Sequence, residues 1–569
     1  MLSKLLSHTQ TTSPHYKWVA LSNTTLGMLM ATLNATSLII ALPVIFRGIH
    51  INPLNPSSFS YLLWILLGYM LVTAIFVVTL GRLGDMFGRV KMYNLGFLIF
   101  TVGALVASLT WSHGDAGALE IIIARMIQAI GGALLMANSA AILTDAFPTN
   151  QRGMALGINQ IAALGGSFVG ILVGGLLSQL SWRWVFLFNV PIGIIGFIWS
   201  YIALKEIDIF HPAKLDWLGN ISFALGLGMI LIGITYGIRP YGHSPMGWSN
   251  PLVLSLIGLG LIIMGIFVLV EKRVKQPMFN LNLFEIRAFT AGNIASLMSA
   301  MGRGGLQFML IMWLQGIWLP LHGYDFTKTP LWAGIYMLPT TLGFLIAGPV
   351  SGMLSDKYGA RPFATGGMIL AAISFGLMML LPVNFPYLLF AVVLLLNGIA
   401  FGLFSSPNTA GIMNSVPAEF RGAASGMRAT FMNVGMPLSI GIFFSLMIVG
   451  LTASIPGALY HGLISNHVSS HIASSLSHLP AISYLFAAFL GYNPLKTLLG
   501  PKVLNSLPHQ ATIHLTSKHY FPQLIGPPFK HGLIIVLSFA VGTSLVAAAA
   551  SWLRGGKYIF EDDKKANLA

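Results

Sequence analysis

Fourteen long apolar runs constrain this 569-residue chain more than any other feature of its sequence. A helix of about 20 apolar residues crosses the hydrocarbon core of a bilayer, where backbone polar groups must bond within their own segment. Each run is therefore predicted to be a transmembrane helix, and the fold class is all-α integral membrane. The runs are 18–43, 59–80, 92–110, 118–143, 153–177, 183–203, 215–236, 250–270, 289–319, 331–354, 362–381, 386–413, 422–450 and 531–553.

Composition excludes the soluble classes. The chain is 55% hydrophobic and 8% charged, whereas a soluble domain carries about 25% charged residues. The net charge of +15 does not indicate a nucleic-acid partner, because most cations lie in short loops on one predicted side. The chain has no cysteine, and it shows no nucleophile–base–acid set, phosphate loop or metal cluster. We therefore predict no enzyme activity, no cofactor and no metal site.

Two motifs recur at nearly the same offset, which indicates two homologous halves. One has four shared positions displaced by 271: Gly81/Gly352, Leu83/Leu354, Asp85/Asp356 and Gly88/Gly359. The other has four displaced by 269: Pro148/Pro417, Arg152/Arg421, Gly153/Gly422 and Gly157/Gly426. Parallel repeats in a polytopic chain are typical of secondary transporters that move one half against the other.

The repeat and the charges predict the domain organisation and the orientation. Six-helix bundles are expected at 18–203 and 289–553, joined by a linker at 204–288 that holds an extra helix pair. With both termini inside, the cytoplasmic segments hold about 19 of the 30 Lys and Arg and the external ones about 8. We expect a monomeric multi-pass protein of the plasma membrane, with residues 1–17 and 554–569 in the cytoplasm.

The loop at 81–93 is predicted to be a cytoplasmic gate. Gly81 and Gly88 allow a tight turn, and Asp85 lies among cations such as Arg82 and Arg89, so salt bridges there can break and re-form. Asp356 and Gly359 repeat the pattern in the second half. The alternative is a solvated basic loop that only orients two helices.

A predicted external loop at 451–530 is far longer than an ordinary connection. It contains no Asp or Glu, and its apolar stretch 484–492 is expected to lie on the membrane or to fold over the mouth, either as a lid or as a passive packed cap. His467 and His471 are spaced as a metal pair on a helix, but we favour a surface adapted to an acidic exterior. The loop histidines are His461, His467, His471, His478, His509, His514 and His519.

Three arginines lie inside predicted membrane helices, where ionisable groups are expensive and mark functional sites. Arg125 has Glu120 as its nearest acid in sequence, and we expect the two to take part in coupling. The alternatives are a structural pairing of Arg125, a helix N-terminal role of Glu120, and coupling through a histidine or none at all. Arg303 is flanked by glycines that would leave room beside it for water or substrate. Arg428 is shallower, and bonding helix carbonyls or lipid phosphate is an equal alternative for it.

The interior is predicted to be net positive and to favour neutral, amphipathic or anionic substrates. Helix 1 carries Asn34 at its deepest polar position, and an amide cannot carry a proton as a carboxylate can. The expected cavity residues are Asn34, Gln128, Arg303, Gln307, Gln315, Tyr336 and Arg428. Close helix packing is expected at Gly166, Gly170, Gly174 and Gly175.

Together these motifs resemble the major facilitator superfamily, in its fourteen-helix drug:proton antiporter branch. The resemblance rests on the 81–93 loop, on the helix-4 set Arg125, Gln128 and Gly131 with Ala129 where Gly is usual, and on the helix-5 glycines with Ile171 where Pro is typical. It extends to Trp182–Phe186 with Asn189–Pro191, and to Asn34, Thr36 and Ala41–Pro43, where Asn34 replaces the usual Asp.

The resemblance implies two bundles with an extra helix pair, alternating access, export, a gate at Asp85 and a role for Arg125 in proton transfer. The predicted function is export of hydrophobic, neutral or anionic small molecules, driven by protons. One alternative is transport of a defined metabolite (an organic acid, lipid or peptide), not necessarily with protons. Another is a membrane sensor that does not transport.

Overall fold

The computed structural model describes residues 15–52, 54–55, 58–148, 151–206, 216–242, 244–274, 277–417 and 420–555. The first half contains α1 Tyr16–Gly48, α2 Ser58–Phe87, α3 Arg89–Ser108, α4 Gly114–Ala146, α5 Arg152–Leu180 and α6 Trp184–Ala203. The extra pair is α7 Trp217–Gly237 and α8 Pro251–Glu271. The second half contains α9 Arg287–Leu321, α10 Leu338–Tyr358 after a short segment Thr329–Tyr336, α11 Ala360–Leu380, α12 Tyr387–Asn414, α13 Arg421–Ile464, α14 Ser470–Ser477, α15 Ala481–Phe489, α16 Leu495–Ser506, α17 His509–Thr516 and α18 Tyr520–Leu553.

Every predicted apolar run corresponds to a helix of the structure. Thirteen helices in the described part of the chain are long and apolar enough to cross a bilayer. The remaining run lies in α5, a helix of 29 residues that includes the shorter apolar stretch Gly165–Leu180. The all-α membrane class is therefore confirmed.

The helices form two six-helix bundles with an extra pair beside them. In the first bundle α1 packs on α5, and α4 packs on α2 and α3. In the second, α12 packs on α10 and α11, while α9 packs on α13 and α18. Helices α7 and α8 pack on each other, and α7 also contacts α2 and α13, so the pair lies where the bundles meet.

The long loop is shorter than the sequence predicted. Helix α13 continues to Ile464 and α18 begins at Tyr520, so the connection is 465–519 and not 451–530. The apolar pattern underestimates the length of both helices, because they continue beyond the apolar runs with a mixture of polar and apolar residues. Packing of the two helices on each other stabilises these extensions. We call the side that carries 465–519 the loop side, and the opposite side, where α1 begins and α18 ends, the terminal side.

Glycines set the distance between α1 and α5. A Cβ atom at Gly166 would lie 2.7 Å from the Leu29 carbonyl oxygen, and one at Gly174 would lie 2.6 Å from Ser37 Cα. Gly170 faces the Leu33 backbone in the same way, with Leu33 Cα at 3.0 Å. The three glycines therefore form one contact stripe, spaced as in small-residue helix pairs of membranes.

The repeated motif gives the same backbone in both halves. Gly88 has φ of +110° between α2 and α3, and Gly359 has φ of +86° between α10 and α11. Residues with a side chain rarely adopt a positive φ, so a glycine separates the two helices at both positions. The two equivalent turns show that α2 corresponds to α10 and α3 to α11.

Gly170→Ala should destabilise the fold, because the added methyl group meets the α1 backbone and overpacking of this kind costs about 1–3 kcal/mol. Gly165→Ala is the matched control, since a Cβ atom there meets nothing within 4 Å and alanine favours a helix. Thermal unfolding in detergent should show a lower midpoint for the first variant only. Equal midpoints would contradict a packing role of the stripe.

Candidate transport site

Arg125 lies in the interior of the first bundle, among uncharged partners. Its side chain is 1% exposed, and its guanidinium group donates to Asn34 of α1 and, at 2.7 Å, to Gln128 Oε1. The guanidinium carbon lies 4.2 Å from the centre of the Tyr69 ring of α2. Arg125 Nε and Gln128 Nε2 are buried and have no hydrogen-bond partner. Helices α1, α2 and α4 thus enclose the Arg125 guanidinium group, whose Nε–H group has no acceptor.

The structure does not bring Glu120 to Arg125. Glu120 lies toward the loop side of α4, where the Ser112 hydroxyl donates to its Oε1. A separation of five residues turns the two side chains to different faces of the helix. Among the described residues, no carboxylate forms an ion pair with Arg125. The expected Glu120–Arg125 pair is therefore absent from this arrangement.

Arg303 lies among the corresponding helices of the second bundle, although α9, which carries it, is the counterpart of α1 and not of α4. Its guanidinium carbon lies 5.3 Å from the Phe344 ring of α10 and 5.8 Å from the Phe401 ring of α12. The repeat relates α9, α10 and α12 to α1, α2 and α4, so in each bundle an arginine of these three helices lies beside aromatic rings. The side chain is half-buried. Both arginines can contribute positive charge and aromatic stacking to a bound molecule.

The expectation that glycines leave room beside Arg303 is wrong. A Cβ atom at Gly304 would lie 3.1 Å from Met436 Cα, and one at Gly305 would lie 2.8 Å from Phe443 Cβ. Gly302 similarly faces Thr543 Oγ1 at 3.0 Å. Helices α13 and α18 therefore fill this space, and the glycines allow helix packing.

The other expected cavity residues are dispersed. Gln315 lies in a π-helical turn of α9 and donates to the Ile40 carbonyl oxygen of α1 at 3.1 Å, so it joins the two bundles. Tyr336 bonds the Tyr324 hydroxyl at 2.9 Å within an aromatic cluster on the loop side. Arg428 is buried beside Met432, with a nitrogen–sulfur distance of 3.0 Å, and Gln307 is half-buried on α9.

The predicted gate loop 81–93 is helical on both sides of Gly88, because α2 continues to Phe87 and α3 begins at Arg89, so Gly81 forms no turn. This segment, for which we keep the name gate loop, contains an ion-pair network centred on Arg89. Its guanidinium group lies 2.7 Å from Asp85 Oδ1 and 2.5 Å from Asp145 Oδ1. Arg89 therefore links the ends of α2, α3 and α4 on the terminal side. Arg82 donates to the Pro277 carbonyl oxygen at 2.9 Å, which ties this loop to the segment after α8. A Cβ atom at Gly81 would lie 3.4 Å from that of Ala137 in α4, so α2 and α4 are in contact here.

Sequence reasoning missed two acids of this network. Asp145 lies two residues after the run at 118–143, and Glu206 lies three residues after the run at 183–203. Glu206 accepts the Val90 and Lys91 backbone N–H groups at 3.3 and 3.1 Å and so caps α3. The available signal was that both acids end helices on the side of the basic loop. The side chain of Asp356, the equivalent of Asp85, lies outside the described residues.

The loop side is closed by α15, which lies between the two bundles. All nine residues of Ala481–Phe489 are buried. The Phe486 ring contacts Phe46 of α1 and Phe59 of α2 with centroids 5.4 and 5.9 Å apart, and the Ser483 hydroxyl donates to the Leu54 carbonyl oxygen at 3.2 Å. The Phe489 ring lies 5.6 Å from that of Phe308 in α9.

Direct contacts between the bundles also gather on the loop side. A Cβ atom at Gly175 of α5 would lie 2.7 Å from Leu331 Cα, and one at Gly334 would lie 2.9 Å from Ile171 Cγ2. Arg47 of α1 donates to the Phe326 carbonyl oxygen at 3.4 Å. Gly175 thus differs from Gly166, Gly170 and Gly174, because it contacts the opposite bundle and they contact α1.

The histidines do not form the metal pair considered for a helix. His467 lies in a turn with φ of +63°, whereas His471 lies in α14, which begins at Ser470. Among the described residues, no group of three or more His, Cys, Asp or Glu side chains is placed to hold a metal ion.

Comparisons with known proteins agree with this architecture. The Major Facilitator Superfamily profile matches residues 24–440. The riboflavin transporter RibZ of Clostridioides difficile (strain 630) is 30% identical over 476 residues, which cover 83% of this chain and 96% of the relative. The multidrug transporter protein MdtP of Bacillus subtilis (strain 168) is 26% identical over 530 residues, 91% of each chain. The tetracenomycin C resistance and export protein of Streptomyces glaucescens is 26% identical over 432 residues, 76% of each.

Solved structures share the fold at low identity. A bacterial homologue of the human lysosomal transporter Spinster, in an inward-facing and unoccupied conformation, has a TM-score of 0.56 at 15% identity and covers 95% of this chain and 98% of its own. The xylose transporter XylE from E. coli in an inward-open conformation has a TM-score of 0.51 at 15% identity, with 75% and 90% covered.

Asp85→Asn should slow transport without unfolding the protein. Arg89 would keep only Asp145, and because the Asp85 and Arg89 side chains are 35% and 30% exposed, the lost pair contributes at most about 1 kcal/mol to stability. The measurements are transport rate in liposomes and the unfolding midpoint. Unchanged transport would contradict the gate hypothesis.

The matched control is Asp325→Asn on the loop side. Lys518, 3.0 Å away, lowers the pKa of Asp325 by hydrogen bonding and by its charge, so this carboxylate is also ionised and paired. It lies in the connection after α9, far from the gate loop. Transport by this variant should equal that of the unchanged protein.

Proposed function

The chain belongs to the major facilitator superfamily, as its motifs led us to expect, and from this premise we propose that it exports neutral to anionic amphipathic small molecules by alternating access, coupled to proton influx. It is a multi-pass membrane transporter of small molecules. The direction, the substrate charge class and the coupling are the parts that we propose.

The uncompensated charge of Arg125 carries the substrate proposal. A buried guanidinium group without a carboxylate partner is unfavourable by several kcal/mol in a membrane interior. Asn34, Gln128 and Tyr69 supply only dipoles and a ring face. An anionic or electron-rich substrate would supply the missing interaction, whereas a dication would be repelled. Arg303 and Arg428, which have no described carboxylate partner either, add to the same field.

The relatives support a small-molecule substrate and leave its breadth open. MdtP is a multidrug transporter, and the Streptomyces protein exports tetracenomycin C. The second candidate is a transporter of one defined metabolite, and the similarity to a riboflavin transporter over nearly its whole length favours it. Both candidates agree with aromatic rings beside Arg303, because Phe344 and Phe401 offer stacking surfaces.

We place the terminal side in the cytoplasm and the loop side outside the plasma membrane. The distribution of Lys and Arg supports this orientation, and the bacterial relatives support the plasma membrane. In this orientation α15 closes the external mouth. Its wider contacts are with α9, α13 and α18, so it would move with the second bundle and leave the first when the mouth opens.

The test of function is transport by purified protein in liposomes under an imposed pH gradient, with anionic, neutral and cationic compounds and an internal pH dye. We expect substrate-dependent proton movement with anionic and neutral compounds. Arg303→Ala should reduce transport of anions several-fold and spare neutral compounds. Arg361→Ala is the control, because its guanidinium group also stacks on a ring, Trp552, but belongs to neither arginine site.

The outcomes separate the alternatives. Substrate movement without proton movement would contradict proton coupling and leave a facilitator. Strict preference for one compound would favour the defined-metabolite transporter. No movement of any compound, with ligand binding retained, would favour the sensor.

A disulfide can test whether α15 is the external gate. The chain has no cysteine, so Ser483→Cys with Leu54→Cys introduces the only pair, at a site where the two residues already touch. Oxidation should join α15 to the first bundle and stop transport, and reduction should restore it. Full transport in the oxidised form would mean that α15 is a passive cap.

The control joins α15 to the second bundle. A Cβ atom at Gly316 would lie 3.0 Å from the Ala488 carbonyl oxygen, so Gly316→Cys with Ala488→Cys is the matched pair. If α15 moves with α9, oxidation of this pair should leave transport unchanged.

A further inference from the structure

Two buried carboxyl groups meet at the terminal side of the extra helix pair. Asp216 precedes α7 and is 4% exposed, and Glu271 ends α8 and is 3% exposed. One oxygen of each has a partner: Asp216 Oδ1 accepts the Gly219 N–H at 2.8 Å, and Glu271 Oε2 accepts the Phe279 N–H at 2.9 Å. The other two oxygens, Asp216 Oδ2 and Glu271 Oε1, are buried and have no partner.

The two unpartnered oxygens converge on the same point beside Gly219. A Cβ atom at Gly219 would lie 2.6 Å from Glu271 Oε1 and closer still to Asp216 Oδ2. No side chain other than hydrogen fits there, and the glycine therefore allows the two carboxyl groups to approach. Three segments form this site: the start of α7 supplies Asp216 and the Gly219 N–H, the end of α8 supplies Glu271, and the segment after α8 supplies the Phe279 N–H.

Two ionised carboxylate groups that face each other in a buried site are unstable, since neither can donate a hydrogen bond and their charges repel. A single proton removes both problems, because the protonated group then donates to the other. We propose that Asp216 and Glu271 share one exchangeable proton and form the site through which this transporter couples to protons. The inference rests on the proposed proton-coupled function, and it assigns the coupling to helices outside the two bundles.

The pair is connected to the gate loop. The positive charge of Arg82 acts on Glu271. Arg82 bonds the Pro277 carbonyl oxygen, two residues before Phe279. On the other side, the Thr79 hydroxyl bonds the Asn220 side chain, and Asn220 Nδ2 donates to the Asp216 carbonyl oxygen at 2.7 Å. The Glu271 carboxyl group and the Asp216 backbone therefore contact the segments that bond α2.

This connection gives the proton a means to act on the gate. Loss of the shared proton leaves two negative charges in an apolar environment, and these attract the Arg82 guanidinium group away from the Pro277 carbonyl oxygen. Arg82 would then turn from the segment at Pro277 to the two carboxylates, which changes the junction between the end of α2 and the extra pair. Return of the proton restores the closed junction, so protonation and gate closure stabilise each other.

The first test is infrared spectroscopy of the protein in lipid at neutral pH, a readout that does not need transport. The unchanged protein should show the carbonyl band of a buried protonated carboxyl group, and Glu271→Gln should lose it. Asp325→Asn is the control, because its exposed, ion-paired carboxylate does not contribute to this band. Persistence of the band in Glu271→Gln would overturn the proposal.

The second test measures coupling in the liposome assay. Glu271→Gln keeps an acceptor for the Phe279 N–H and should still move substrate down its gradient, with loss of the accompanying proton movement. Asp216→Asn gives the same test if the first variant does not fold, since Glu271 then has no second carboxyl group with which to share a proton. Full proton coupling in a folded variant would overturn the inference.

The outcomes distinguish this inference from the proposed function. A protein that shows the band but moves no protons would refute coupling through this site and would also refute the proton-driven function. A protein that couples to protons in the Glu271→Gln variant would keep the function and refute only the site. Absence of the band, with an unfolding midpoint raised by sodium and not by choline, would mean that the pair binds a metal cation.

Discussion

Close approach of helices at glycine is the contact on which the arrangement of both bundles depends. Lipid tails are as apolar as leucine, so apolar side chains alone do not hold membrane helices together, and fit at short distance must do so. Gly166, Gly170 and Gly174 bring α1 to α5, and Gly304 and Gly305 bring α9 to α13. These contacts also fix where α1 and α9 present their polar residues, and so they position both arginine sites.

Charge is distributed in a way that separates two tasks. The interior of the bundles holds Arg125, Arg303 and Arg428 among amides, rings and a thioether, whereas the paired acids lie at helix ends on the terminal side. Asn34 occupies the position where a proton-carrying acid would be expected from the resemblance. The first bundle therefore has charge to attract a substrate, and the carboxyl groups that we propose to share a proton lie at the terminal-side ends of α7 and α8. A transporter organised in this way would bind its substrate and its proton at different places.

Different contacts hold the helices together on the two sides of the protein. On the terminal side, the ion pairs around Arg89 are partly exposed and individually weak, so they can break and re-form at small cost. On the loop side, α15 buries all its residues between the bundles, and opening must expose that apolar surface or move the helix. The weak ion pairs at the proposed gate suit reversible motion, and the buried apolar helix suits a tight seal.

The sequence by itself determined the membrane class, the fourteen helices, the two halves, the glycine turns and the helix-5 stripe. These follow from properties of short segments: apolar length, the internal repeat, and the restriction of positive φ and close approach to glycine. Only the tertiary structure decided the partners of the charged groups. Asp145 joins Arg89 across 56 positions, Glu206 joins α3 across more than 100, and Glu271 meets Asp216 through a whole helix pair. It also decided that Glu120 is not near Arg125, that the glycines beside Arg303 are filled by helices, and that stretch 484–492 lies between the bundles. Such pairings depend on which helix faces meet after folding, and neither spacing nor composition specifies that.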